Sequence, residues 1–436
     1  MYLTRRFYYL FIVAVVWFVI GYFWPTGVTV AQIVLGLLCL SVGVDSLLLY
    51  HRRGITAYRS CSDRFSNGDE NRVSIRVDNS YPLTSFLEII DEIPFVFQRR
   101  DVCFRLKLHR GEGKQVVYHL TPKERGVYGF GQVRILATSL IGLVARRYTC
   151  GTPQEVKVYP SFLMLHQYEL LAATQNLTEF GIKKIRRVGH QTEFEQIKDY
   201  VKGGDYRRIN WKASARRHEL MVNVYQDERS QPIYCVIDKG RVMQQAFGGM
   251  TLLDYAINAS LMLSYVAMRK EDKAGLVTFN EHFETFLPAS KESGHLQTLL
   301  ETLYKQQTTF GETDFSRLCI HLGKQLNKRG LLVLFTNFAD MNALNRQLSY
   351  FQQLSRHHRL LVVFFEDDEL NAYAERRAID TEGYYRRVIA EKFVYEKRLM
   401  VSTLRQNGIH ALLTSPNDLS VNVVNKYLEI KARQLI

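Results

Sequence analysis

Two long apolar runs open the chain. The first covers residues 7–24 without a charged residue, and the second extends from about residue 28 to residue 50. Each run is long enough to cross a hydrocarbon core of roughly 30 Å. A three-residue link joins the runs, and arginines flank both ends of the pair. The positive-inside rule therefore predicts a transmembrane hairpin over residues 1–54, with both of its ends in the cytoplasm.

Asp45 is the ionisable residue inside these runs. An intramembrane carboxylate is a functional candidate by default, with proton or ion transport as the usual role. Asp45 stands near the cytoplasmic end of the second run, where Arg52 or interfacial water could reach it. We therefore expect Asp45 to be accommodated at the interface, with transport as the alternative.

Residues 55–161 alternate apolar and polar positions in short runs. Such runs cover residues 73–77, 104–108, 116–120, 132–136 and 156–159, and glycine-containing turns separate several of them. Short strands at this spacing predict an antiparallel β-sandwich of immunoglobulin-like architecture. A domain of this kind serves as a rigid spacer or as a binding module.

A connector follows over residues 162–229. Its basic loop, residues 181–191, either faces anionic lipid or docks an acidic partner. Residues 202–228 predict a Gly-Gly turn, a helix over residues 206–217 with Asp205 as its N-cap, and a strand from Leu220. Cations surround Ile209 and Trp211 on this helix. This pattern favours a helix that is buried between the β-sandwich and the C-terminal domain, with Trp211 filling the junction. A docking face for a partner is the alternative.

Residues 230–436 alternate buried strands with helices. The first strand, residues 233–237, is a continuous apolar run, as expected for a strand that is buried on both faces. The βα repetition predicts an α/β doubly wound sheet. In such sheets ligands bind at the carboxyl ends of the strands, and Asp238 directly follows the first one.

Composition and missing motifs limit the classes of partner, the cellular compartment and the enzymatic activities to be considered. The net charge is +14, which favours an acidic protein, anionic lipid or nucleic acid as the partner. Six widely spaced cysteines form no CxxC pair, which indicates a reducing compartment. The sequence has no Walker-type phosphate loop, no HExxH and no Gly-x-Ser-x-Gly elbow, so we expect no enzymatic activity and no small-molecule substrate.

One ordered motif carries a family resemblance. It runs from residue 204 to residue 216 and continues with Leu220-x-Val222 and Glu228; its signature positions are Gly204, Asp205, Arg208, Trp211, Ser214 and Arg216. Together with the apolar pair and the segments TPKERGVYGFG and VKVYPS, this motif resembles the bacterial family named domain of unknown function 58. The resemblance covers nearly the whole chain. It implies a C-terminal domain similar to a von Willebrand factor A domain.

The resemblance also implies a place for a metal site. In von Willebrand factor A domains an Asp-x-Ser-x-Ser motif, a threonine and a second aspartate hold Mg²⁺ at the strand ends. Asp238 and Thr313 match two of these positions, whereas Gly240 and Val242 stand in place of the serines and Asn337 in place of the second aspartate.

The missing ligands predict a degenerate site. We expect no Mg²⁺ and no other cofactor. We expect Asp238 instead to pair with Lys239, with Arg241 or with a cation of the signature helix, which would leave the top of the sheet as a binding surface.

Two functions from different classes remain open. The first is a membrane-anchored interaction or assembly protein of the bacterial inner membrane, multi-pass, with cytoplasmic domains; the resemblance implies a MoxR-type AAA+ ATPase beside it, or another acidic protein. The second is a nucleic-acid-binding membrane protein, suggested by the net charge and by Tyr384-Tyr385-Arg386-Arg387. The acidic stretch at residues 366–369 counts against a continuous basic groove for nucleic acid.

Overall fold

The computed structural model of the chain describes residues 1–21, 25–99, 102–165, 193–200, 206, 209–226, 230–376 and 380–433. They fall into two units, Met1–Tyr159 and Pro160–Ile436. The basic loop at residues 181–191 lies outside the described residues. So do Gly204, Asp205 and Arg208 of the signature.

The first unit begins with a two-residue strand and two apolar helices, β1 (Tyr2–Leu3), α1 (Arg5–Gly21) and α2 (Pro25–Tyr50). Within α2, Gly27–Tyr50 has a mean hydropathy of 2.2 and is, by length and composition, the one described helix able to cross a membrane. The helix α1 has 17 residues. The end of the first predicted span, residues 22–24, lies outside the described part of the chain.

Ten further strands complete this unit. They are β2 (Ile55–Cys61), β3 (Arg64–Ser66), β4 (Asn71–Asn79), β5 (Ser85–Asp91), β6 (Cys103–Leu108), β7 (Gly113–Leu120), β8 (Gly126–Phe130), β9 (Val133–Thr138), β10 (Val144–Cys150) and β11 (Gln154–Tyr159). They pair in the orders β1-β10-β9-β5-β6, β2-β4-β7 and β3-β11-β8. Nearly all pairings are antiparallel, as the alternation predicts, whereas β3 and β11 run parallel. One apolar core gathers the inward positions of these sheets.

A buried carboxylate fastens α2 to the sheets of its unit. Asp45 is fully buried and accepts hydrogen bonds from the backbone N–H groups of Leu143 at 2.9 Å and Val144 at 2.8 Å, and from the hydroxyl of Ser139. A buried carboxylate needs such donors, because it has lost its hydration. The donors come from the segment between β9 and β10, and not from Arg52 or interfacial water, which the sequence offered as alternatives.

The second unit contains a hairpin, a six-stranded sheet and eight helices among its described residues. The hairpin is β12 (Glu193–Asp199) with β13 (Met221–Gln226), and α3 (Trp211–Arg217) lies between them in the chain. The other strands are β14 (Pro232–Asp238), β15 (Ala246–Phe247), β16 (Met250–Thr251), β17 (Lys273–Phe279), β18 (Phe283–Ser290), β19 (Leu331–Phe335), β20 (Arg359–Phe365) and β21 (His410–Thr414). The other helices are α4 (Leu252–Arg269), α5 (His295–Tyr304), α6 (Phe315–Gln325), α7 (Met341–His357), α8 (Asp368–Glu375), α9 (Thr381–Gln406) and α10 (Leu419–Ala432).

The six-stranded sheet has the order β18-β17-β14-β19-β20-β21, with β18 antiparallel at one edge and the other five strands parallel. Helices cover both faces. On one face Ile233 and Cys235 pack in the core that includes α4 and α10, and on the other face Tyr234 and Val236 pack in the core that includes α6, α7 and α9. The carboxyl ends of the parallel strands meet at one edge, which we call the strand-end edge.

The signature helix is shorter than the sequence predicts. Asn210 is its N-cap, because the Asn210 side chain accepts from the backbone N–H of Ala213 at 3.0 Å, and Ile209 before it forms a β-bridge with Val222. The helix therefore begins at Trp211, and the prediction of a helix from residue 206 is wrong. Only seven residues long, α3 buries one narrow side.

Candidate functional site

Asp238 is the hub of the strand-end edge. It ends β14 and is fully buried. Its carboxylate accepts three hydrogen bonds: from the hydroxyl of Thr313 at 2.8 Å, from the hydroxyl of Thr336 at 2.7 Å, and from the backbone N–H of Gly240 at 2.8 Å. Thr336 directly follows β19, and Thr313 precedes the N-cap of α6. The two hydroxyl donors therefore come from separate loops.

These contacts replace the predicted ion pair. Burial raises the pKa of the Asp238 carboxyl, while its hydrogen bonds act in the opposite direction. Among the described residues no cation lies within ion-pair distance of it. Lys239 is buried and turns to Glu284 on β18 and to Gln306, whose Oε1 accepts from its ammonium at 3.2 Å. The expected pairing of Asp238 with Lys239 or Arg241 is thus wrong, because hydroxyls already fill its acceptor sites.

Gly240 is required by a close approach. A Cβ at this position would lie 1.8 Å from the hydroxyl oxygen of Thr313 and 3.0 Å from a carboxylate oxygen of Asp238. Any side chain at residue 240 must therefore displace Thr313. Val242 lies close by in the chain, is half-buried, and offers no hydroxyl.

Asn337 meets a lysine that the sequence analysis missed. The Lys397 ammonium, on α9, donates to the side-chain oxygen of Asn337 and to the backbone carbonyl of Phe338. Burial lowers the pKa of Lys397 to about 8, and Asp367 partly offsets this. A signal was present in the sequence, since Lys397 stands on the helical stripe that Ala390, Val394 and Val401 define.

The residues at the positions of the expected metal site do not provide the ligands that Mg²⁺ needs. Positions 240 and 242 carry no hydroxyl, and the hydroxyls of Thr313 and Thr336 both donate to the Asp238 carboxylate. The position of the second carboxylate is an amide that accepts from an ammonium group. A hard octahedral cation needs several oxygen ligands that are free to turn toward it. Within the described ranges no group of three or more histidine, cysteine, aspartate or glutamate side chains could hold a metal ion.

A pocket of about 570 Å³ opens beside this cluster. Its wall is mostly apolar and includes Phe247, Phe338, Phe365 and Phe393. Polar groups stand at its margin: Arg241, Gln245, Asn337, Glu366, Asp367, Asn371 and Lys397. An apolar hollow with a few charged groups can take a side chain from another molecule.

The described signature residues lie apart from the contacts of Asp238. Trp211 is 70% exposed, so the prediction that it is buried at a domain junction is wrong. Arg216 is also exposed. Ser214 is the buried member: its hydroxyl donates to the carbonyl of Asn210 at 2.9 Å and accepts from the N–H of Met221 at 2.8 Å. Within this motif, Ser214 ties α3 to β13.

The described residues thus define a protein with an apolar helical segment on antiparallel sheets, and with an α/β unit that presents a polar strand-end edge. Residues 196–380 match the model of a family described as protein of unknown function DUF58. This match confirms the resemblance drawn from the signature motif.

A curated relative supports the same assignment. The chain is 24% identical over 186 residues to the uncharacterized protein YeaD of Bacillus subtilis (strain 168). The match covers 43% of this chain and 44% of the relative, so the chain spans less than half of that protein's length.

Two solved structures share a weaker likeness. One is an aerotolerance-related membrane protein from Bacteroides fragilis NCTC 9343, with 12% identity and a TM-score of 0.31. The other is the conserved hypothetical protein BatB from Bacteroides thetaiotaomicron, with 11% identity and a TM-score of 0.32. Each match covers 47% of this chain and 99% of the other chain.

Proposed function

We propose that this chain is a membrane-anchored interaction protein of the bacterial inner membrane that docks a partner protein through its α/β unit. The observation that carries the proposal is the outer face of α9. Seven large apolar or aromatic side chains of this helix are between 38% and 65% exposed: Tyr384, Tyr385, Val388, Ile389, Phe393, Tyr395 and Leu399.

The spacing of these side chains makes a continuous face. Tyr385, Ile389 and Phe393 follow one another at intervals of four residues, which places them on one side of a helix. Single exposed apolar residues are ordinary on protein surfaces, whereas a contiguous patch marks a contact site. We call these three side chains and their neighbours the α9 face.

The α9 face continues into the pocket at the strand-end edge. Phe393 is 45% exposed and also lines the pocket, together with Val394 beside it and Lys397 on the next turn. A partner that covers the α9 face can therefore place a side chain in the pocket. Aromatic side chains set around such a hollow are the usual centre of a binding interface.

The charges around the face favour an acidic partner over nucleic acid. Arg386 pairs with Glu382, and Arg387 pairs with Glu391 at 2.8 Å. Two of the cations that suggested nucleic-acid binding are therefore matched on their own helix. The wider excess of positive charge still complements an acidic protein.

The family resemblance supplies the class of partner. We propose that the α/β unit acts as a von Willebrand factor A-like domain beside a MoxR-type AAA+ ATPase in the assembly of other complexes. The polar cluster around Asp238 then serves as a structural brace, without Mg²⁺ or other cofactor and without enzymatic activity. Support for the brace comes from the hydrogen bonds that already occupy the carboxylate.

We further propose that α1 and α2 both enter the membrane as a hairpin, with the soluble parts in the cytoplasm. The apolar part of α2 that precedes Asp45, Pro25–Val44, is about 30 Å long at 1.5 Å per residue. Arg5 and Arg6 at one end of the pair, and Arg52 and Arg53 at the other, set the orientation.

Co-purification with a defined partner tests the docking role. The full chain in detergent is mixed with the purified MoxR-type ATPase of the same organism at low and at high salt. We expect Ile389→Glu to abolish retention of the ATPase, because a carboxylate in the centre of the face opposes both burial and an acidic partner. The melting temperature should stay unchanged, since Ile389 is 54% exposed.

A matched control is Ile320→Glu on α6. Ile320 is 53% exposed in the same unit but lies on another helix. This variant should retain the ATPase as the unchanged chain does. If the unchanged chain retains no ATPase at low salt, or if both variants behave alike, the docking proposal fails. A salt-sensitive gel shift with DNA or RNA would favour the nucleic-acid alternative instead.

A further inference from the structure

We propose that the outer face of the five-stranded sheet in the first unit binds the phosphate headgroup of an anionic membrane lipid. The site is a groove of about 1060 Å³ whose lining contains one carboxylate, Glu88, and six cations: Arg5, Arg6, Arg105, Lys107, Arg134 and Arg147. This assignment rests on the membrane anchoring proposed above.

Strand register brings these cations together. On the face opposite to the core, Arg147 of β10 lies beside Leu136 of β9, which lies beside Glu88 of β5, which lies beside Arg105 of β6. Neighbouring strands are about 4.8 Å apart, so this row places cations on both sides of a shallow floor. Lys107 stands two residues beyond Arg105 on the same strand and therefore on the same face.

Only part of this charge has a carboxylate partner: Arg134 pairs with Glu92. Lys107 and Arg147 lie over the rings of Phe86 and Tyr2, at 5.9 Å and 5.8 Å, and these contacts leave their charge unneutralised. Of the described carboxylates, none lies within ion-pair distance of Arg5, Arg6, Lys107 or Arg147. Arg105 contacts Glu88 at 3.3 Å, and both side chains are at least one-third exposed. Exposed cations that share one groove repel each other unless an anion enters. The groove therefore has the electrostatics of an anion site.

The groove lies where the apolar helices leave the sheets. β1 forms the edge strand next to β10, and Thr4 alone separates it from α1. The N–H of Thr4 donates to the carbonyl of Leu143 at 3.0 Å. The N–H of the same Leu143 donates to Asp45 near the end of α2. Both helices are thus fixed at the rim of the groove. In the membrane hairpin proposed above, this rim would lie among the lipid phosphates.

Exposed apolar side chains at the same rim favour a lipid over free phosphate. Leu140 is 58% exposed and Ile141 is 40% exposed, on the segment whose Ser139 binds Asp45. Inside the groove Phe86 is 39% exposed and Tyr2 is 47% exposed. These groups offer contacts to glycerol and acyl carbons, which inorganic phosphate lacks, while the basic side chains attract the phosphate.

Native mass spectrometry of the full chain in neutral detergent tests the site. Phosphatidylglycerol, phosphatidylcholine and inorganic phosphate are titrated separately. We expect retained phosphatidylglycerol, little phosphatidylcholine and no phosphate adduct. The double variant Lys107→Gln/Arg147→Gln should lower phosphatidylglycerol affinity about 30-fold, since each cation near an anionic surface contributes about fivefold. Arg5 and Arg6 are left in place because they also set the orientation.

The matched control removes the same charge elsewhere on the unit. Arg72→Gln/Lys114→Gln lies on the sheet β2-β4-β7, and both of its side chains are exposed outside the groove. This variant should bind phosphatidylglycerol as the unchanged chain does. Equal losses in both double variants, or none in either, would overturn the headgroup site. An adduct with inorganic phosphate that the groove variant loses would assign the groove to free phosphate.

Carbonate extraction of membranes separates this proposal from the anchoring on which it rests. If carbonate releases the chain, the anchoring is wrong, whatever the lipid titration gives. If the chain stays in the membrane and shows no preference between the two lipids, the headgroup site alone is wrong.

Discussion

Replacing Asp238 by alanine should destabilise the α/β unit by about 3–5 kcal/mol. The change strands three donors: the hydroxyls of Thr313 and Thr336 and the N–H of Gly240. A buried donor without a partner costs about 1–3 kcal/mol, and the loss of a hydrogen bond to a charged group lies at the upper end of this range. Thr336 is fully buried and finds no water. Thr313 is partly exposed and can turn to solvent, which lowers the total.

Asp238→Asn separates the hydrogen bonds from the charge. An amide keeps one oxygen for Gly240 and Thr313, and it can donate to the hydroxyl of Thr336, so most of the stability should remain. Burial raises the pKa of folded Asp238 above its unfolded value. The stability that this group contributes is therefore fully present below the unfolded pKa and is lost as the pH rises through the folded pKa. The melting temperature of Asp238→Asn, measured relative to the unchanged chain, should accordingly rise as the pH increases above the usual aspartate pKa of about 4.

Differential scanning calorimetry of the full chain in detergent measures these effects. For a unit of this size, 3–5 kcal/mol corresponds to a fall in melting temperature of roughly 6–20 °C. Millimolar Mg²⁺ should change no transition. Identical melting of Asp238→Ala and the unchanged chain would refute the role of the carboxylate as a hub. A single-site Mg²⁺ isotherm that is lost in Asp238→Ala would refute the expectation of no metal.

Two further substitutions test local geometry. Gly240→Ser restores the residue type of a metal-binding loop, but it should destabilise the unit by about 1–3 kcal/mol, because its Cβ meets the hydroxyl of Thr313. Adding Thr313→Ala should recover part of this loss in the same calorimetric measurement. A melting temperature of Gly240→Ser at or above that of the unchanged chain would contradict the clash. Trp211→Ala should shift stability by no more than about 0.5 kcal/mol, because the side chain is 70% exposed; a loss of several kcal/mol on thermal unfolding would show that the side chain is buried after all.

The sequence predicts the α/β unit well where burial is continuous. The sequence predicts a helix at Leu252–Arg269 and a strand at Leu331–Phe335, and the structure has both with these bounds, because their apolar residues face a core that surrounds them. The antiparallel edge strand β18 was missed. Its residues are only half-buried, and its apolar and polar positions do not alternate cleanly. The sequence predicts a helix only from about residue 391 to residue 406, whereas α9 begins at Thr381, because the apolar side chains of its first half face away from the core.

For the candidate site, too, the sequence predicts one part and misses another. Its place at the end of β14 follows from topology, so Asp238 could be found from the sequence. Its partners could not, because they come from loops whose approach depends on the packed sheet. Charge alone suggested Lys239, yet that side chain reaches past β17 to the edge strand β18 and pairs with Glu284. Adjacent residues at a strand end point to opposite sides, which is why sequence proximity misled.

Buried carboxylates also shape the outer surface of this basic protein. Asp91 and Asp272 pair with Arg59 and Lys431, whereas Asp45 and Asp238 are held by hydroxyl and backbone N–H donors alone. The latter two remove acidic groups from the exterior without removing cations. Among the described residues, the surface therefore has two fewer carboxylates to offset the excess of positive charge.

That excess gives the two proposed contacts different responses to salt. The lipid groove depends on unpaired cations, so its affinity should fall as the Debye length shortens. The α9 face depends mainly on burial of aromatic and aliphatic side chains, which excluded salts such as sulfate strengthen. A series in sodium sulfate should therefore weaken phosphatidylglycerol retention while it preserves retention of the partner. Parallel loss of both would mean that charge, and not the apolar face, holds the partner.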